Sequence, residues 1–160
     1  MLPIKSILHP TDFSQQSEAA FALACSLAKD YDAELIVIHV APPPEILHGA
    51  YFNAPPSPPE DLTVLKEQLF AVRPEDPAVR VEYFFLRGDP AEEILHAAEK
   101  NGCDLIVLGT HGRTGLGRLL MGSVAEHVLR EAKCPVVTVK NPVFMETAEE
   151  EEKVSVRSPA

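Results

Sequence analysis

The sequence predicts an α/β domain: a single doubly wound sheet of five parallel strands with helices on both faces. Three observations carry that prediction. Strand and helix patterns alternate along the chain in the order βαβαβαβαβ, which builds a parallel sheet through right-handed crossovers. Residues 34–40 (ELIVIHV) are almost wholly apolar and rich in β-branched side chains, as a strand covered on both faces must be. The chain has 160 residues, 46% of them hydrophobic, enough for one substantial core and too few for two ordinary ones.

Each element has its own signal. Ile4, Ile7 and Leu8 belong to a first strand that ends at His9-Pro10. Ser14 is placed to cap a helix whose stripe is Ala20, Leu23, Ala24, Leu27, Ala28 and Tyr31, spaced by threes and fours on one face. Cys25 reads as core on that side. The second strand is 34–40. Between 41 and 60, Pro42, Pro43, Pro44, Pro55, Pro56, Pro58 and Pro59 forbid a regular element, and the segment reads as an extended surface loop. A weak helix follows Asp61, with Leu62, Leu65, Leu69 and Val72 on one side, and 79–86 is the third strand. Asp89-Pro90-Ala91-Glu92 is a helix start, with Asp89 as cap, Pro90 in the first turn and Glu92 completing a capping box. Ile94, Leu95 and Ala98 form its buried stripe, and Asn101-Gly102 ends it. Residues 103–108 are the fourth strand, 109–122 a glycine-rich connection, 123–132 a helix and 135–140 the last strand. The domain is expected over 1–141. Residues 142–160 form an acidic tail with too little apolar content to pack.

Charge and cysteine usage exclude several function classes. Formal net charge is −10, and it stays near −7 without the tail, where five Glu stand against Lys153 and Arg157. Neither nucleic acid nor an anionic membrane is an expected partner. Apolar runs such as 35–38 and 105–108 are strand-sized, far below a membrane span. Lys5 and then His9-Pro10-Thr11-Asp12 interrupt the apolar start, so no secretory leader is expected. Cys25, Cys103 and Cys134 make no CxxC pair and sit in apolar segments, which reads as buried thiols in the cytoplasm. His9, His39, His96 and His127 are dispersed without metal-ligand spacing.

The chemistry is expected in the connection after the fourth strand. Residues 109–124 read GTHGRTGLGRLLMGSV, with four glycines from Gly109 to Gly117 and Gly122-Ser123 opening a helix. Glycine lets backbone N–H groups approach a ligand with no side chain between. A helix start adds unpaired donors and partial positive charge, which suit phosphate. The segment lacks the Lys and hydroxyl residue of a Walker A loop, and no GxGxxG follows the first strand. Its spacing is G-x2-G-x9-G-S, at Gly109, Gly112, Gly122 and Ser123.

With that spacing the chain resembles the universal stress protein family in its ATP-binding branch. Further matching features are 7–14 (ILHPTDFS), the His39-Val40 strand end, Gly88-Asp89-Pro90 and Cys134-Pro135-Val136-Val137, so the likeness covers roughly 1–141. The resemblance implies an adenine-nucleotide α-hydrolase-like, Rossmann-like fold and a nucleotide-dependent stress-response switch. It also implies ATP, or ADP or AMP, as ligand, with Mg²⁺ or Mn²⁺ bridged through the phosphates. Asp12, after Pro10 and Thr11, is similar to the acid that contacts ribose, and Val40 to the residue whose backbone recognises adenine. Leu108 and Gly109 match the strand end beside the ribose. Gly112, Gly122, Ser123 and Val124 match the donors to the phosphates. The family's habit of pairing through its last strand implies a homodimer at Val136–Val139, read by a protein partner the sequence does not name.

Plainer readings stand beside these. Ser123 with Glu126 is itself a capping box, although a cap does not call for four preceding glycines. Asp12 can serve equally as a loop residue at the first helix. Arg113 and Arg118 can screen phosphate or be solvated, and His111 can bond a phosphate or be a tolerated polar loop residue. A nucleotide-free dimeric scaffold and a slow ATP hydrolase are the alternatives to a switch. No general base or positioned nucleophile stands out for efficient turnover.

Overall fold

A computed structural model describes residues 3–43, 61–110 and 121–140. The readings made above for 44–60, for His111, Gly112, Arg113 and their neighbours in 111–120, and for the tail from 141 onward lie outside the described residues. Nine elements follow the expected alternation among those described: β1 (Ser6–Pro10), α1 (Gln15–Tyr31), β2 (Glu34–Ala41), α2 (Leu62–Ala71), β3 (Val81–Arg87), α3 (Pro90–Lys100), β4 (Leu105–Gly109), α4 (Ser123–Glu131) and β5 (Val136–Val139). The strands form one parallel sheet in the order β3-β2-β1-β4-β5. The chain winds outward from β1 through β2 to β3, then returns to the other side of β1 for β4 and β5. The winding therefore reverses between β1 and β4.

Alternation along each strand feeds two apolar layers. Leu8, Ile36, Ile38, Ile106 and Leu108 face α3 and α4, whose Ile94, Ala98, Ala125 and Val128 close over them. Ile7, Leu35, Val37, Leu105 and Val107 face the other way, toward Ala20, Ala24 and Ala28 of α1 and Leu69 of α2. Each of these large side chains contributes about 1.5–3 kcal/mol of transfer free energy when fully buried. The stripe of α1 differs from the expected one: Ser17, Ala20, Ala24 and Ala28 are buried, whereas Leu23 and Tyr31 are 37% and 43% exposed. Small residues every fourth or third position let the helix axis approach the sheet, and the two large residues fall off that line. Cys25 and Cys134 are half-buried rather than core, while Cys103 is buried.

The caps explain where the helices start. Ser14 Oγ accepts the Ser17 N–H, Asp61 the Thr63 N–H and Asp89 the Glu92 N–H. Strand ends fall within two residues of those expected. The third strand begins at Val81, because the Val79 N–H is held in a turn by the Asp76 carbonyl.

One irregularity positions the site. The β1–β4 ladder has two pairs, Ile7 with Leu105 and Leu8 with Ile106, although both strands run on. The next rung of a parallel ladder would take an N–H from Pro10 to the Val107 carbonyl, and proline has none. The buried His9 ring supplies that donor instead, with Nδ1 at 2.9 Å from the Val107 oxygen. Beyond it the two strands part at their carboxyl ends.

Candidate functional site

A cleft of about 240 Å³ opens where β1 and β4 part, at the carboxyl end of the sheet. This is the crevice that a reversal of winding creates in an open α/β sheet. Pro10, Thr11 and Asp12 line it from the end of β1, Val40 from β2, Leu108 and Gly109 from β4, and Gly122, Ser123 and Val124 from the start of α4. The structure thus brings together the described residues that the sequence singled out. It adds His39, Ser17, Pro90, Ile94, Thr110 and Ala125 to the walls. Their signal was available only through topology, since they sit on strand ends and first helical turns that the sheet order makes neighbours.

The turn after β1 is tightly organised. Asp12 Oδ1 accepts the Ser14 N–H at 3.1 Å and the Ser14 hydroxyl at 2.5 Å, and the Asp12 N–H reaches Ser17 Oγ at 3.3 Å. Ser17 Oγ in turn donates to Thr11 Oγ1 at 2.9 Å. The cap of α1 is therefore Ser14, with Asp12 bracing it from one step outside. Phe13 sits at φ +65, in left-handed backbone that a bulky residue rarely adopts, with its ring stacked on His39 at 4.5 Å. His39 Nδ1 bonds the Thr11 carbonyl at 2.8 Å. These contacts fix the backbone that carries the Asp12 carboxylate to the cleft.

The opposite wall is a helix start. Gly122 is the N-cap of α4 and no side chain caps the helix. Ser123 is the first helical residue, exposed, so the capping-box reading of Ser123 does not hold. The Gly122 N–H donates to the Thr110 carbonyl at 2.7 Å, and the Thr110 N–H to the Val139 carbonyl at 3.0 Å. Gly122 therefore spends its amide on the fold. The first-turn amides that follow, at Ser123 and Val124, have no carbonyl within the helix to receive them and sit at the positive end of its dipole. Gly109 also has a packing reason: a Cβ there would lie 3.1 Å from Gln16 Cβ and 3.2 Å from its backbone, so α1 needs a glycine beside it.

Charge is sparse. Among the described lining residues Asp12 is the one side chain of fixed charge, and no group of three or more His, Cys, Asp or Glu could hold a metal ion. His9, beneath the cleft, is driven to a pKa of about 4 by burial, against the opposing pull of its bond to Val107 and the charge on Asp12. It is a neutral donor at physiological pH. The cleft combines an apolar wall of Val40, Ile94 and Leu108, one carboxylate at the β1 end, and helix amides across from it. Such a set suits a ligand with a flat apolar ring, vicinal hydroxyls and an anionic tail.

Comparison with known proteins shows the family. The family model described as "Universal stress protein family" matches residues 3–140. Universal stress protein MJ0531 of Methanocaldococcus jannaschii is 40% identical over 146 residues, covering 86% of this chain and 83% of that protein. The solved structure of MJ0577, from the same organism, superposes with a TM-score of 0.63 at 32% identity over 87% of this chain and 97% of that one. A universal stress protein crystallised in complex with cAMP shares the fold at 22% identity, with a TM-score of 0.65 over 88% of this chain and 99% of that one. No helix among the described residues is long and apolar enough to cross a membrane.

Proposed function

The chain belongs to the universal stress protein family, and from that premise we propose that it binds an adenine nucleotide, ATP first among them, in the cleft between β1 and β4. The observation that carries the reading is the pairing of one carboxylate with an uncapped helix start across a gap whose wall is apolar. Adenine lies on Val40 and takes hydrogen bonds from the strand end. Asp12 accepts the ribose hydroxyls beside Leu108 and Gly109. The amides of Ser123 and Val124, with the Ser123 hydroxyl, hold phosphate, joined by Gly112, His111 and Arg113 of the connecting loop. A Mg²⁺ or Mn²⁺ ion would be bridged through the phosphates rather than held by a protein cage.

The protein acts as a switch rather than an efficient enzyme. Nucleotide rigidifies the homodimer, joined along β5, and a partner protein reads the result. Support for that interface is the position of β5 as an outer strand whose four residues are all half-buried in the single chain. The three free cysteines support a cytoplasmic setting.

Nucleotide extraction from freshly purified protein tests the ligand directly. Thermal unfolding with ATP at a hundredfold excess over Kd should show stabilisation by about 2.7 kcal/mol. Absence of any shift with ATP, ADP or AMP would leave the nucleotide-free scaffold. Multiple turnovers of ATP near 1 per second would point to an enzyme instead.

A further inference from the structure

The end of the sheet opposite the cleft holds a second cavity, of about 350 Å³, and Cys103 and Cys134 line it together. Each stands two residues ahead of its strand, Cys103 before β4 and Cys134 before β5. The register pairs Ile106 with Val136, and the Ile106 N–H bonds the Pro135 carbonyl at 3.0 Å. Alternation breaks ahead of β4: Cys103 lies in the layer of Ile106, not in that of Leu105, and its Sγ accepts the Ser6 hydroxyl at 3.6 Å. Cys103 and Cys134 thus stand at the entries of adjacent strands and line one cavity. Both side chains turn into the same layer: Cys103 is part of the cluster under α3 and α4, and Cys134 packs against it. Cys25 belongs to the other face of the sheet.

We propose that Cys103 and Cys134 are a redox site, forming a reversible disulfide that ties the entry of β5 to the entry of β4. The oxidant is a low-molecular-weight disulfide. Half-exposed Cys134 is the attacking thiol: its thiolate breaks the oxidant's S–S bond, forms a mixed disulfide and releases one thiolate. Buried Cys103 resolves it, attacking the Cys134 sulfur to form the internal bond and release the second thiolate. The two protons lost by the cysteines end on the two small thiols, so the oxidant is reduced by two electrons and the protein oxidised by two. Burial raises both thiols above their ordinary range, Cys103 being raised further by charge on Cys134. The exchange is therefore slow at neutral pH and accelerates as pH rises toward 9. The ring it closes runs from 103 to 134 and encloses β4, the glycine-rich connection and α4, so oxidation cross-links the segment that carries half of the nucleotide cleft.

The test is oxidation of the full chain by oxidised glutathione at pH 8.5, followed by non-reducing digestion, mass mapping and thermal unfolding. The expected result is a mass loss of two hydrogens per chain, a peptide pair linked through Cys103 and Cys134, and Cys25 free. Closing a ring of about thirty residues should raise Tm by about 10 °C, reversibly with dithiothreitol. Cys25→Ser should behave as the parent, and Cys134→Ser should form no internal bond. A stable glutathione adduct on Cys134 that never resolves, a link involving Cys25, a link between chains, or no reaction at all would overturn the proposal.

Discussion

Acidification isolates the contribution of His9. Its ring is fully buried and its pKa is held near 4 against an ordinary 6.5, because burial penalises the imidazolium more than the Val107 carbonyl and the Asp12 charge favour it. The native state therefore keeps His9 neutral in a range where the unfolded chain takes up a proton. Stability is unaffected above about pH 7, falls as pH drops through 6.5, and levels off below about 4, where the native ring also protonates. The full shift corresponds to about 3 kcal/mol, most of which is lost by pH 4.5. Asn at position 9 keeps a donor close to the Nδ1 position and removes the titration. Urea unfolding of the parent and of His9→Asn at pH 7.5 and 4.5 gives the comparison. His9→Asn should start about 1–3 kcal/mol less stable through lost packing. Its further loss on acidification should then be about 2–3 kcal/mol smaller than the parent's. Equal acid losses in the two proteins would refute the assignment of the slope to this ring.

Three further outcomes test the cleft. Gly122→Val should fold normally, because φ −60 and ψ 149 suit any residue, yet lose the ATP-induced rise in Tm as its side chain fills the phosphate end. Normal ATP binding by this variant would remove the cradle. Asp12→Asn should still accept the Ser14 N–H but bind ATP about tenfold more weakly, a loss of about 1.4 kcal/mol seen by calorimetry. Its affinity for 2′,3′-dideoxy-ATP should match the parent's. Gly109→Ala should cost about 1–3 kcal/mol in urea unfolding even without nucleotide, since its methyl group presses on Gln16.

The fold was legible because each signal was local. The capping residues Ser14, Asp61 and Asp89, the β-branched run of β2 and the Pro90 start all act within a few residues of themselves. Sheet order was open to inference only through winding rules, and the reach of α1 toward the sheet was missed. A pattern of threes and fours admits Leu23 and Tyr31, whereas the packing distance selects Ser17, Ala20, Ala24 and Ala28. At the site, the Gly122–Val124 start was readable from motif spacing, and Asp12 and Val40 through the family resemblance. His9 was not, because a histidine inside an apolar run gives no sign that a neighbouring proline has left a carbonyl on the adjacent strand in need of a donor. Ser123 illustrates the limit of motif logic. Its sequence fits a capping box, but the chain turns one residue earlier, at Gly122, where the amide is taken by Thr110.

The hydrogen bond from the Gly122 N–H to the Thr110 carbonyl pins the exit from β4 to the entry of α4. The length of the segment between those two anchors is therefore open to change. Doubling such a segment adds only about 0.6 kcal/mol of closure entropy. A longer or shorter segment there should leave the five strands and α4 in their positions.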